Sequence, residues 1–257
     1  MTIRPKNAEA IEKMRAAGRV AAEVLSHLRE MIRPGVTTAE LDAEAVRIMR
    51  ERGAESLFLG QPHPRGGRSY PGNICVSLNE ELVHGIPGER RIAEGDVVSV
   101  DVGVKKDGWC GDAARTFAVG RVDQRVEALV RTTAEALEIV AREARAGVLW
   151  SAVAGRIEDL VRGAGFSIVT DYVGHGIGQE MWEEPRVPNY VGRDTARDDF
   201  VLAEGMTLAV EPMVNMGRRE VREKEDGWTV ETCDGQPAAH FEDTFVVRRD
   251  GAEALTR

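Results

Sequence analysis

Val97 to Val119, VVSVDVGVKKDGWCGDAARTFAV, decides how the 257-residue chain is read. Val97 to Val104 is rich in β-branched residues, Asp107-Gly108 is a two-residue hairpin signal, and Trp109 to Val119 resumes a strand-like pattern. If Asp107 and Gly108 form the loop, Asp112 faces Gly103, and Asp101 is its diagonal neighbour two positions along. Both carboxylates then share one sheet face, whereas a slip of one residue would split them across the sheet. Two acids within ~8 Å on such a face repel unless a proton or a cation stands between them. The preferred reading is a cation.

Working outward, Asn7 to Ile32 carries apolar residues at helical spacing and stops at Pro34-Gly35, and Thr37 to Glu40 is a capping box opening a second helix that runs to Arg52. Gln61 to Gly72 is a loop by its Pro and Gly content, and Ile74 to Leu78 a short strand. Asp123 is expected to cap a helix through Ala146, and Ser151 another to Arg162. Phe166 to Val173 reads as a strand, Gly174 to Gly178 as a glycine-rich turn and Gln179 to Arg197 as a polar loop. Thr207 to Val210, Trp228 to Thr232 and Phe241 to Val247 read as further strands. Helix, helix, strands thus occurs twice, predicting one α+β domain of residues 1–257 with related halves, about 1–120 and 121–257, around one mixed sheet.

The net charge of −9 argues against a DNA partner, and no run approaches the ~18 apolar residues of a membrane span. The charged opening residues do not resemble a cleaved signal, so a cytoplasmic protein is expected. Three dispersed cysteines, Cys75, Cys110 and Cys233, read as free thiols.

Four further residues interrupt apolar or glycine contexts: His84 in LVHGIP, His175 in VGHGIGQ, Glu211 in TLAVEPM and Glu242 in AAHFEDTFVV. Two Asp, two Glu and one His can supply oxygen and nitrogen ligands to two divalent cations, as in two-metal hydrolases. Four carboxylates would balance two dications.

The same residues carry a resemblance over almost the whole chain. IEKMRAAGRVAAEVL, PGVTTAELD, SLNEELVHGIPGER, DVGVKKDGWCGDAART, GHGIG followed by EEP, EPMVN, GWTVETCDG and FEDT together resemble the bacterial type I methionine aminopeptidases. The resemblance implies the pita-bread fold, two pseudo-twofold-related halves around a mostly antiparallel sheet, and removal of initiator methionine before a small second residue. It places metal ligands at Asp101, Asp112, His175, Glu211 and Glu242. With no zinc-finger extension before residue 1 and no long insertion, the short bacterial form is expected. Two cations would lower the pKa of a shared water from ~15.7 toward ~7 and make it a nucleophile. Glu211 would also shuttle the proton, and His84 would hydrogen-bond the substrate near the scissile amide; by itself His84 reads equally as a turn imidazole before Gly85 and Pro87. The resemblance assigns the methionine pocket to Tyr70, Cys75, Met181 and Trp228, groups suited to a thioether, although Met181 and Cys75 also fit ordinary core. The ligand set suits Mn, Fe, Co and Zn alike. Implied partners are N-terminal Met peptides and nascent proteins, with ribosome association, and a monomer is expected.

One position departs from the family. Before EEP the sequence reads GQEMW, so Trp182 stands where the family has a second catalytic histidine. Indole donates one hydrogen bond but accepts none and carries no proton. His240, two positions before Glu242, is expected on the same strand face and offers an imidazole that would reach the substrate carbonyl; it reads as well as a rim histidine. His63 is a weaker candidate and His27 reads as structural. The substitution at Trp182 leaves two other readings open: a pita-bread peptidase of altered specificity, such as for Xaa-Pro bonds, and a noncatalytic peptide-binding protein.

Overall fold

The computed structural model describes residues 3–257. In chain order the elements are α1 (Ala8–Met31), α2 (Thr38–Glu51), β1 (Glu55–Ser56), β2 (Cys75–Leu78), β3 (Glu81–Val83), β4 (Val97–Lys106), β5 (Trp109–Ala118), α3 (Gln124–Glu143) and α4 (Trp150–Gly163). Then follow β6 (Ser167–Ile168), β7 (Gly174–Gly176), β8 (Glu183–Val187), α5 (Arg193–Ala196), β9 (Thr207–Val210), β10 (Met213–Asn215), β11 (Val221–Glu223), β12 (Val230–Thr232), β13 (Ala238–His240), β14 (Glu242–Val247) and β15 (Ala252–Ala254).

The first helices start as their sequences dictate. Asn7 Oδ1 accepts the Ala10 N–H at 2.9 Å, and Thr37 and Glu40 form the expected reciprocal box. Asp123 caps α3. Ser151 does not cap α4: that helix begins at Trp150 with Leu149 as its N-cap, and the Ser151 N–H donates instead to Asp199 Oδ1 at 3.0 Å, a partner 48 residues away.

Among the described residues nine strands form the main sheet, in the order β1-β4-β5-β14-β9-β7-β8 with β2 beside β4 and β15 beside β14. Every pairing between its named strands is antiparallel, which corrects the expected mixed sheet. The hairpin has the predicted register, with Asp112 opposite Gly103. Because β5, from the first half of the sequence, pairs with β14 from the second, the central strands join the two halves.

The helices cover one face of this sheet. Val98, Val100, Val102 and Val104 of β4 pack with Val24, Leu28, Leu41 and Ile48 of α1 and α2. Phe245 and Val247 of β14 pack with Leu137, Val140 and Ile157 of α3 and α4. Each such side chain contributes ~1.5–3 kcal/mol on burial. Alternation along the strands sends the intervening residues, Asp101 and Glu242 among them, to the opposite face.

Three segments differ from expectation. The predicted strand Phe166 to Val173 is reduced to β6, and the predicted polar loop Gln179 to Arg197 contains β8 and α5. Gly174 to Gly178 is not a turn, since its first three residues are β7. Those glycines serve close approach: a Cβ on Gly174 would lie 2.3 Å from Ala209 O, and one on Gly176 2.2 Å from Glu184 O. The cysteines are free, as expected, and among the described residues no helix is long and apolar enough to cross a membrane.

Candidate metal centre

Strand register brings the predicted donors together. One cross-strand row runs Cys75, Asp101, Ala114, Glu242 over β2, β4, β5 and β14. Side chains in one row share a face, and so does Asp112, two residues along β5 from Ala114. A neighbouring line holds His175 opposite Ala209, which faces Thr244. Thr244 is two positions from Glu242, so His175 also faces the acids, while Glu211 follows the end of β9 two residues beyond Ala209.

Polar contacts fix these backbones. Thr244 Oγ1 accepts the Asp112 N–H at 2.9 Å and donates to Asp112 O at 2.9 Å, pinning β5 to β14. The Arg115 guanidinium donates to the carbonyls of Ala114 and Glu242 and to buried Asp243. At β7, His175 Nδ1 donates to Gly176 O at 2.9 Å, since a carbonyl can only accept. That contact leaves Nε2 of neutral His175 with its lone pair directed at the acids, the arrangement metal-binding imidazoles use.

Asp112, His175 and Glu242 offer donor atoms all within 4.8 Å of one another. Glu211 Oε1 lies 3.8 Å from His175 Nε2. Asp101 Oδ1, Asp112 Oδ1 and Glu242 Oε1 are buried without a hydrogen-bond partner among the described residues. Buried carboxylates in that condition are costly. Burial, then the neighbouring Asp112 and Glu211 charges, pushes Asp101 well above the carboxylate range; burial and Asp112 do the same to Glu211 and Glu242. Asp112 is pushed up to about 7 by burial, and burial also lowers His175. A cluster that resists ionising alone, with free oxygens and a free imidazole nitrogen, fits divalent cations in its donor chemistry and in its unmet valence.

These groups form one wall of a cavity of about 570 Å³. His84, on a left-handed backbone (φ 58°), faces the cavity with its ring edge-on to Tyr172 and Trp228. Burial holds it neutral, with its pKa lowered to about 4. Tyr70 donates to Gly85 O at 2.9 Å and packs edge-on to Trp228 at 5.2 Å, while the Trp228 indole donates to Arg68 O at 2.9 Å. Cys75 and Met181 complete this soft, aromatic section. Trp182 lies on the wall, 57% exposed, its ring 6.5 Å from that of His175.

His240 is the prediction the structure corrects. The strand is interrupted at Phe241, so His240 and Glu242 lie in different strands, β13 and β14, paired in different sheets. His240 is 2% exposed and is not a wall residue; its Nε2 lies 3.7 Å from Glu211 Oε2, and it does not present an imidazole to the cavity. His63, by contrast, lines the cavity against Trp228 and Glu223, and His27 pairs with Glu44. Phe58, Tyr172 and Glu223 also line the cavity and were not singled out. They come from separate loops and strands whose only shared signal is their meeting in space.

Comparison with known proteins agrees with this geometry. A family model described as metallopeptidase family M24 matches residues 12–249. The chain is 43% identical over 258 residues to a methionine aminopeptidase of Escherichia coli strain K12, covering 100% of this chain and 94% of that one. It superposes on the crystal structure of a methionine aminopeptidase from Thermotoga maritima with a TM-score of 0.93 at 42% identity, each chain covered completely. An Xaa-Pro dipeptidase from Bacillus anthracis is more distant, with a TM-score of 0.77, 26% identity and 62% of its length covered.

Proposed function

The chain belongs to metallopeptidase family M24 and has the pita-bread α/β fold, and from that premise we propose that it is a methionine aminopeptidase removing N-terminal methionine before a small second residue. The observation that carries the site reading is the convergence of three buried, partnerless carboxylate oxygens beside the free nitrogen of His175, at a cavity lined by soft and aromatic side chains.

In this reading Asp101, Asp112, His175, Glu211 and Glu242 hold two divalent cations, and the whole chain is one catalytic unit. The first two donors come from the first half of the sequence and the others from the second, and one copy supplies all five. Bound divalent cations supply Lewis acidity and acidify the water they hold. The loaded centre would select a chain end, because a free α-amino nitrogen has a lone pair that an internal amide nitrogen lacks. Glu211, whose pKa is raised by burial and then by Asp112, accepts a proton from water and returns it to the leaving amine. His84, neutral and on the cavity wall, hydrogen-bonds the substrate backbone. Cys75 is directly cross-strand from Asp101, so the terminal side chain lies beside the acids, where Cys75, Tyr70, Met181 and Trp228 suit a thioether. Substrates of this kind are presented as nascent chains at the ribosome.

The test is turnover of a peptide panel by the chain loaded with Mn, Fe, Co or Zn. Met-Ala-Ser should release methionine, Met-Leu-Ser should not, and Ala-Pro should stay intact. Cleavage of Ala-Pro alone, or none with any metal, would overturn the proposal. The Xaa-Pro reading is disfavoured by the full-length match to methionine aminopeptidases, and the noncatalytic reading by survival of every donor.

A further inference from the structure

Glu211 is approached by an imidazole at each oxygen. His175 Nε2 lies 3.8 Å from Oε1, and His240 Nε2 lies 3.7 Å from Oε2. The two histidines differ in setting, since His175 lines the cavity and His240 is buried. His240 Nε2 has no hydrogen-bond partner among the described residues, an expensive condition for a buried nitrogen unless another state of the protein satisfies it.

The backbone at His240 is held in place. Thr116 Oγ1 accepts the His240 N–H at 2.9 Å and donates to His240 O at 2.7 Å, and Ser99 Oγ stands 2.8 Å from the same hydroxyl. Antiparallel pairing with Met213 fixes the strand from its other side. These contacts fix the backbone from which the ring reaches to within 3.7 Å of Glu211. A neutral imidazole has one N–H to donate.

We infer that His240 is a positioning residue for Glu211: its Nε2–H donates to Oε2 when Glu211 holds a cation. This rests on the reading of Glu211 as a ligand. A gap of 3.7 Å is slightly longer than a hydrogen bond, and contacts of this kind tighten when a site fills. Holding Oε2 from outside the cavity fixes the carboxylate rotamer and leaves Oε1 for the centre. Outer partners of metal-binding residues typically change affinity by ~10- to 100-fold when removed.

The decisive measurement is made first on the unaltered protein, by long-range ¹H–¹⁵N NMR of the histidine side chains before and after adding Zn²⁺. With Zn²⁺ bound, His240 Nε2 should carry the proton and that proton should be protected from solvent. An unprotonated Nε2 in the loaded protein would overturn the inference. Titration calorimetry with Zn²⁺ supplies the second readout: His240→Met should bind ~10- to 100-fold more weakly, and His240→Gln, which keeps a donor, should return to within ~3-fold of wild type. Unchanged affinity in a folded His240→Met also refutes it. Wild type failing to bind Zn²⁺ would remove the ligand reading itself, whereas wild type binding with an indifferent His240 would remove only this inference.

Discussion

Asp101 and Glu242 stand in one cross-strand row of the sheet, two strands apart, with only the methyl group of Ala114 between them. That small side chain lets two carboxylates face a common space without a wall between them. Ala114 is fully buried, so Ala114→Val adds bulk where nothing can yield. Overpacking costs ~1–3 kcal/mol. The variant should fold with a Tm lowered by roughly 2–10 °C and bind Mn²⁺ or Zn²⁺ at least ~10-fold more weakly. Wild-type metal affinity in folded Ala114→Val would show that the row does not define the centre.

The metal-free protein should lose stability as pH rises from 6.5 to 8. Asp101, Asp112, Glu211 and Glu242 all have folded pKa values raised above their unfolded ones, chiefly by burial, with Asp112 near 7. Raised acids give stability that is present below the unfolded pKa and lost as pH climbs through the folded one. His84 and His240, lowered to about 4 and about 3, and His175, also lowered, act oppositely, but their effect is complete once pH passes the unfolded value of ~6.5. Above that pH the carboxylates alone remain. Differential scanning calorimetry should show Tm falling over this interval with chelator, and little change with metal bound. A rising Tm in the chelated sample would contradict the assignment.

The proposed function carries the expectation that Trp182 limits the rate. Its indole is 57% exposed beside His175 and has no basic atom, so it can donate once but cannot exchange a proton. Losing a well-placed donor to a reacting carbonyl costs ~100- to 1,000-fold. Trp182→His should raise kcat on Met-Ala-Ser by ~10-fold or more while Tm stays within about 2 °C of wild type. Equal kcat would assign the tryptophan another role.

Much of this site was legible in the sequence because strand chemistry is local. The Asp107-Gly108 turn set the register, and the register put Asp112 opposite Gly103 and beside Asp101. His175 was found from its glycine context, yet the reason for the glycines was misread: they allow Ala209 and Glu184 carbonyls to come close. His240 was misplaced because a period-two argument assumes one unbroken strand, and the strand is interrupted at Phe241. Ser151 lost the cap because Asp199, distant in sequence, takes its N–H. Tyr172 and Glu223 carried no local signal; only tertiary folding brings them to the cavity.

The most direct test counts metal per chain, by elemental analysis after loading with Co²⁺ or Mn²⁺ and dialysis, in wild type and in Asp112→Asn. Asp112 belongs to the tight donor trio and lies on β5, the strand whose pairing with β14 joins the two halves of the chain. The account predicts about two dications per wild-type chain, fewer than one in Asp112→Asn, and loss of methionine release in the same variant. Undiminished metal in Asp112→Asn, or none in a folded wild type, would contradict it.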